Sequence, residues 1–141
     1  MSNSLETPVP AGRPKTHKPT IALVGNPNAG KTSLFNALTG ARQKIGNYPG
    51  VTVEKISGDF THEGDTFEVI DVPGLYSMTP VSNDETVAVK VLEGDPEPPK
   101  LVVYVLDASN LERNLFLFSQ LAETHTNVVV ALTLTDVLDK E

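Results

Sequence analysis

Eight consecutive residues have the types and spacing of a phosphate-binding loop. They read Gly25-Asn26-Pro27-Asn28-Ala29-Gly30-Lys31-Thr32 and match the pattern G-x-x-x-x-G-K-[ST]. In this pattern backbone N–H groups surround the phosphates, the lysine reaches the β- and γ-phosphates, and the final hydroxyl binds Mg²⁺. The residues predicted to contact a nucleotide here are Asn26, Pro27, Asn28, Ala29, Gly30, Lys31, Thr32 and Ser33.

The elements around this loop must place it at the edge of a sheet. Apolar residues 20–24 predict a buried strand before the loop, and residues 33–38 predict a helix after it. Further strands are predicted at 53–60, 66–70, 101–106 and 128–132, and further helices at 84–92 and after residue 110. This alternation indicates an α/β fold, a mostly parallel sheet with helices on both faces and one antiparallel hairpin at its edge.

Local patterns predict the detail of the connecting segments. Gly46, Pro49 and Gly50 favour a mobile loop over residues 41–52. Ser82 and Ser109 each precede an acidic residue by three positions, which predicts two capping boxes. The apolar stripe predicted for the last helix consists of Leu111, Leu115, Phe118 and Ala122.

Two further motifs supply groups that a bound triphosphate and its Mg²⁺ require. Asp71-Val72-Pro73-Gly74 is a D-x-x-G at a strand end, where the aspartate enters the Mg²⁺ shell and the glycine N–H approaches the γ-phosphate. Thr52 lies in the predicted mobile loop and offers a second hydroxyl ligand that can release after hydrolysis. The predicted metal ligands are thus Thr32, Thr52 and Asp71, and the predicted catalytic residues Lys31, Thr52 and Gly74.

The last motif concerns the base. Thr133-Leu134-Thr135-Asp136 follows the final predicted strand, where GTPases carry N-K-x-D. Asp136 is suited to accept hydrogen bonds from guanine N1 and N2, and Thr133 stands where the asparagine is expected. Both are predicted to be nucleotide-binding residues. A carboxylate faces adenine N1 unfavourably, which argues against an ATPase.

Composition limits the possible classes of function. The chain has 141 residues, no cysteine and a formal net charge of −7, so disulfides and thiol chemistry are excluded and nucleic acid is not an expected partner. No apolar run approaches the ~20 residues of a membrane span, which predicts a soluble, cytoplasmic chain. Residues 1–19 hold four prolines and little apolar content, which predicts a disordered tail before a domain at 20–141.

Five stretches together resemble the cytosolic G domain of FeoB ferrous-iron transporters. They are Gly25 to Asn36, Gly46 to Glu54, Asp71 to Thr79, Ser82 to Ala88 and Asp107 to Asn114. The resemblance implies a Ras-like GTPase that binds Mg²⁺ and hydrolyses GTP slowly, with switch I at 46–52 and switch II at 71–83. It also implies a following helical domain, a transmembrane iron-conducting region, location at the cytoplasmic face of the bacterial inner membrane, and an oligomer through the G domain. The chain departs from the family at Thr133, and it ends at Glu141, before the family's last strand and helix.

The resemblance also implies K⁺ binding, because the family recruits this ion through an asparagine at the place of Asn28. Leu75 follows the D-x-x-G where Ras-type enzymes place a water-orienting glutamine, and an aliphatic side chain cannot orient water. A regulatory GTPase is therefore predicted. The alternative is a nucleotide-dependent binding switch, or a truncated remnant, with weak guanine binding and no turnover.

Overall fold

The computed structural model describes residues 18–27, 29–95, 97–124 and 127–133. The strands in these ranges are β1 (Thr20–Gly25), β2 (Lys44–Asn47), β3 (Glu54–His62), β4 (Asp65–Asp71), β5 (Leu101–Asp107) and β6 (Val128–Thr133). The helices are α1 (Lys31–Thr39), α2 (Asn83–Leu92) and α3 (Leu111–Thr124), with a 3-10 turn at Ala108–Asn110 before α3.

The strands form one six-stranded sheet in the order β2-β3-β4-β1-β5-β6. β1 pairs in parallel with both β4 and β5, and β5 pairs in parallel with β6. β3 and β4 form the predicted antiparallel hairpin. Because the carboxyl ends of parallel strands meet at one edge, the segments that follow β1, β4 and β5 lie side by side next to the end of β6, as ligand sites in such sheets require.

Helices cover both faces of the sheet, as the alternating pattern predicted. On one face, Phe35 of α1 packs with Ile21, Leu23 and Val69. On the other face, α2 and α3 enclose the larger cluster, whose fully buried members include Tyr104, Leu117 and Leu121. The central strands of the sheet are thus buried on both faces, and the phosphate-binding loop and the D-x-x-G segment lie at their carboxyl ends.

One strand was missed in the region predicted as a mobile loop. β2 pairs antiparallel with β3 through Lys44↔Ser57 to Asn47↔Glu54, so the antiparallel part of the sheet has three strands. All four residues of β2 are exposed. A short strand exposed on both faces carries no apolar alternation, and the turn residues around it are the stronger local signal.

The stripe predicted for α3 was partly wrong. Phe118 packs against the core as predicted, but the buried positions are Asn114, Leu117 and Leu121, while Leu111 and Leu115 are about half exposed. The cause is a polar anchor, because the Asn114 Oδ1 accepts a 3.2 Å hydrogen bond from the Asp107 N–H. Hydrophobicity alone places an asparagine outside, and this rotates the predicted face of the helix.

Of the two predicted capping boxes, the first is confirmed. Ser82 Oγ accepts from the Glu85 N–H at 3.1 Å, and Glu85 Oε1 accepts from the Val81 N–H at 2.8 Å. The second is replaced by a different contact. The Ser109 hydroxyl donates to Asp107 Oδ1 at 2.8 Å, and the Ser109 N–H donates to the same oxygen at 2.9 Å.

The first described residues contact interior strands of the sheet, whereas the β6 edge is exposed. Lys18 forms an ion pair with Asp59 (2.9 Å), and the Pro19 carbonyl accepts from the Glu68 N–H (2.9 Å), so both residues contact the sheet. β6 is one edge strand of the described sheet, opposite β2, and exposes Leu132 at 64%. Residues 1–17 of the predicted tail and residues 134–141 lie outside the described ranges. Within those ranges, no helix is both long and apolar enough to cross a bilayer.

Candidate functional site

The phosphate-binding loop lies between β1 and α1, as its sequence predicted. Gly30 caps the helix with φ at 93°, a left-handed conformation that favours glycine, and no side chain caps the helix at this end. The first N–H groups of α1 have no acceptor within the helix. They are therefore available to an anion, and the helix dipole adds partial positive charge at the same place.

Lys31 and Asp71 meet although they are 40 residues apart in the sequence. The Lys31 ammonium donates to Asp71 Oδ1, and each side chain is only 12% exposed. The contact joins the start of α1 to the end of β4. It therefore brings together the predicted phosphate-binding cation and the predicted Mg²⁺ ligand.

The D-x-x-G segment is held against the phosphate-binding loop. The Val72 N–H donates to the Leu23 carbonyl at 3.1 Å, and the Leu75 N–H donates to the Gly25 carbonyl at 3.0 Å. A Cβ at Gly74 would lie 2.8 Å from Pro27 Cγ, closer than real Cβ contacts allow. Glycine at position 74 is thus required by contact with the loop.

Leu75 does not face the site. Its side chain is fully buried and belongs to the main core cluster. The position where Ras-type enzymes place glutamine is therefore used here for packing.

Asn26 is a buried polar residue of the loop with unusual surroundings. Its side chain is only 3% exposed, and neither its amide nitrogen nor its amide oxygen has a hydrogen-bond partner in the part of the chain that the structure describes. A buried amide without partners costs about 1–3 kcal/mol. Asn28, the predicted K⁺ ligand, lies outside the described residues.

Thr52 lies in the segment between β2 and β3 and lines a cavity of about 460 Å³ against α2. Val51, Val53, Val87 and Val91 supply much of the apolar wall. Tyr48 also lines this cavity, and its buried hydroxyl has no partner among the described residues. Burial raises the pKa of the Tyr48 phenol, and the negative charges of Asp71 and Glu68 raise it further. This phenol therefore stays neutral in the physiological range.

Thr133 contacts the phosphate-binding loop directly. Its hydroxyl donates to the Ala29 carbonyl at 2.7 Å, and the Leu106 carbonyl lies 3.2 Å from the same oxygen. The sequence predicted a nucleotide contact at this position and a changed contact with the loop, and the structure identifies the Ala29 carbonyl as the partner in the loop. Asp136, the predicted guanine ligand, lies outside the described residues.

A hydrogen-bonded set of residues at the end of β5 supports the site, in a role that the sequence did not predict. Asp107, Ser109 and Asn114 are hydrogen-bonded at the junction of β5 and α3. The Tyr104 hydroxyl donates to the Asn114 carbonyl at 2.5 Å, and burial raises the pKa of this tyrosine to about 12. The stretch Asp107 to Asn114 carried the resemblance, so its signal was present, but its role is to fix α3 on the sheet.

The described residues include no cluster of three or more His, Cys, Asp or Glu side chains suited to a metal ion. A Mg²⁺ site made of one carboxylate, hydroxyl groups and phosphate oxygens does not need such a cluster. Asp71 beside the loop, together with Thr32 at the start of α1, fits this kind of site.

Residues 19–141 match the family described as Ferrous iron transport protein B. The chain belongs to the FeoB family. The Fe(2+) transporter FeoB of Shigella flexneri is 48% identical over 129 residues, covering 88% of this chain and 16% of the relative. The Escherichia coli (strain K12) FeoB is 47% identical over the same length. The chain therefore spans about one sixth of the length of these FeoB relatives.

Solved FeoB structures share the fold. The G domain of T. maritima FeoB is 46% identical with a TM-score of 0.77, covering 89% of this chain and 77% of that one. The T. maritima FeoB cytosolic domain in GDP form I is 45% identical with a TM-score of 0.79, covering 88% of this chain and 48% of that one. An S. thermophilus FeoB variant bound to mGDP is 50% identical with a TM-score of 0.76, covering 87% and 46%. The predicted Ras-like G-domain fold is thus confirmed.

Proposed function

We propose that this chain is the GTP-binding, slowly GTP-hydrolysing regulatory domain of a FeoB-type ferrous-iron transporter. The observation that carries the proposal is the contact of Lys31 with Asp71 at the start of α1. It gathers a phosphate-binding cation and a Mg²⁺ ligand at one point, beside helix N–H groups that are free for an anion. The GDP and mGDP in the related FeoB structures support a guanine nucleotide as the ligand.

Different residues of this chain bind the phosphates, the Mg²⁺ ion and the base. Lys31 leaves Asp71 and neutralises the β- and γ-phosphates, while the N–H groups of residues 29–33 hold the phosphate oxygens. Thr32, Thr52 and Asp71 hold Mg²⁺, which when bound spreads positive charge over the phosphates. The Gly74 N–H approaches the γ-phosphate. Thr133 supports the phosphate-binding loop, and Asp136 accepts hydrogen bonds from guanine N1 and N2.

Slow hydrolysis follows from the burial of Leu75. No side chain at this position can orient the attacking water, so backbone groups of the switch segments must do so. The same observation supports the second candidate function, a nucleotide-dependent switch without turnover. The following helical domain, the transmembrane iron-transport domain, the cytoplasmic location and any oligomer belong to the proposal for the full-length protein.

Calorimetric titration with GDP, a non-hydrolysable GTP analogue and an ATP analogue tests the proposal. We expect both guanine nucleotides to bind, and the ATP analogue to bind at least about tenfold more weakly, because Asp136 pairs only with guanine. Phosphate release from GTP then separates the two candidate functions. Binding without phosphate release supports the non-hydrolysing switch, and absence of guanine-nucleotide binding overturns both.

We also predict that GTP hydrolysis is faster in K⁺ than in Na⁺. Leu75 leaves the site without a water-orienting side chain, and a monovalent cation held by Asn28 can neutralise charge that develops on the phosphates. Asn28→Ala is expected to remove the difference between the two salts, whereas Asn127→Ala, an exposed amide beside β6, should preserve it. Equal rates in both salts for the parent protein would contradict K⁺ binding.

A further inference from the structure

Thr133 stands where the family pattern has asparagine, and its surroundings show what the replacement does. The side chain sits between the phosphate-binding loop and β5. Its Oγ1 lies 2.7 Å from the Ala29 carbonyl oxygen and 3.2 Å from the Leu106 carbonyl oxygen. A Cβ built on Gly30 would lie 3.3 Å from Thr133 Cγ2, so the methyl group occupies the space next to Gly30.

The Thr133 hydroxyl has too few hydrogens to donate to both the loop and a nucleotide base. A threonine hydroxyl has one hydrogen, and carbonyl oxygens only accept. The hydrogen is therefore committed to the Ala29 carbonyl, with the Leu106 carbonyl as its secondary acceptor. The edge of guanine that faces the major groove in DNA presents two hydrogen-bond acceptors, N7 and O6. Thr133 has no hydrogen left to donate to either of them.

An asparagine at the same position can donate more hydrogen bonds than a threonine. Its amide nitrogen carries two hydrogens, so one can hold a loop carbonyl while the other is donated to a base acceptor. Replacement by threonine keeps the first function and removes the second.

We propose that Thr133 is a positioning residue for the phosphate-binding loop and that it does not contact the acceptors of the base. The inference rests on the proposed function and specifies its substrate range. The side chain strengthens binding of every nucleotide that uses the loop. Purine nucleotides that lack the N7 acceptor bind this protein as well as those that have it, and guanine selection is left to the other edge of the base.

The test compares GDP with 7-deaza-GDP, which replaces N7 by a C–H group. Dissociation constants are measured by calorimetry for the parent chain and for Thr133→Asn, Thr133→Val and Thr133→Ser. We expect the parent to bind the two nucleotides within about twofold of each other. Thr133→Asn should favour GDP over 7-deaza-GDP by about 2–12-fold, the effect of one net hydrogen bond.

The other two variants isolate the contact with the loop. Thr133→Val should weaken binding of GDP and 7-deaza-GDP by the same factor, about 2–12-fold, because the Ala29 carbonyl loses its donor. Thr133→Ser keeps the hydroxyl and should bind GDP and 7-deaza-GDP as tightly as the parent does. If position 133 affected only the stability of the fold, Thr133→Asn would not change the ratio of the affinity for GDP to the affinity for 7-deaza-GDP.

Three results would overturn the inference. The first is a parent that prefers GDP over 7-deaza-GDP by clearly more than about twofold. The second is a Thr133→Asn variant without any preference for GDP. The third is failure of every variant and the parent to bind either nucleotide, which refutes the proposed function as well. If Thr133→Val does not fold, the parent and the asparagine variant still decide the question through the same ratio.

Discussion

Lys31→Ala is expected to abolish measurable GDP binding. The ammonium is the charged group at the start of α1, and it is only 12% exposed beside Asp71. Loss of two charge-assisted hydrogen bonds, at about 1.5–3 kcal/mol each, corresponds to a decrease in affinity of about 10²–10⁴-fold. Calorimetric titration with GDP in the presence of Mg²⁺ measures the effect.

The same substitution affects folding through a separate route. It leaves the Asp71 carboxylate without its cation in a largely buried place, which lowers the free energy of unfolding of the ligand-free protein. The double variant Lys31→Ala, Asp71→Asn removes that buried charge, so we expect it to recover stability without recovering GDP binding. Lys90→Ala, an exposed lysine of α2, is the matched control and should bind GDP normally. A Lys31→Ala protein that binds GDP as tightly as the parent would falsify the phosphate-loop assignment.

Gly74→Ala is expected to reduce GTP hydrolysis by about 10²-fold while changing GDP affinity little. A Cβ at this position would lie 2.8 Å from Pro27 Cγ and 3.1 Å from Pro27 Cα. The proline ring is stiff and its backbone belongs to the phosphate-binding loop, so the D-x-x-G segment must move away. The Gly74 N–H is then displaced from the γ-phosphate, and loss of one such donor commonly costs 10²–10³-fold in rate.

Single-turnover phosphate release measures this effect, and GDP titration shows whether binding survives. Gly46→Ala controls for the folding effect of an added methyl group, because nothing lies within 4 Å of a Cβ at that exposed position and its backbone is not left-handed. Thr61→Ala, at an exposed position of β3 outside both switch segments, is the activity control, and we expect it to hydrolyse GTP at the parent rate. Hydrolysis at the parent rate by Gly74→Ala would mean that the segment accommodates the methyl group and that the Gly74 N–H has no part in the reaction.

The elements of the fold were largely predictable because their signals are local. The apolar runs of β1, β5 and β6 mark buried or parallel strands, and the turn at residues 63–65 marks the β3–β4 hairpin. The exceptions have physical reasons. β2 is exposed on both faces and so carries no apolar alternation, and the buried face of α3 includes the polar Asn114, which an apolar pattern does not reveal.

Some parts of the candidate site were predictable from local sequence, and others were not. The sequence by itself determined the phosphate-binding loop, the D-x-x-G motif and membership of the residues in a G-domain pattern, since each depends on residue types at fixed spacing within a short segment. Only the tertiary structure decided the pairing of Lys31 with Asp71 and the bond from Thr133 to the Ala29 carbonyl, which join residues 40 and 104 positions apart. Such contacts depend on which strand ends are neighbours at the sheet edge, and that order is set by packing of the whole chain and not by any one segment.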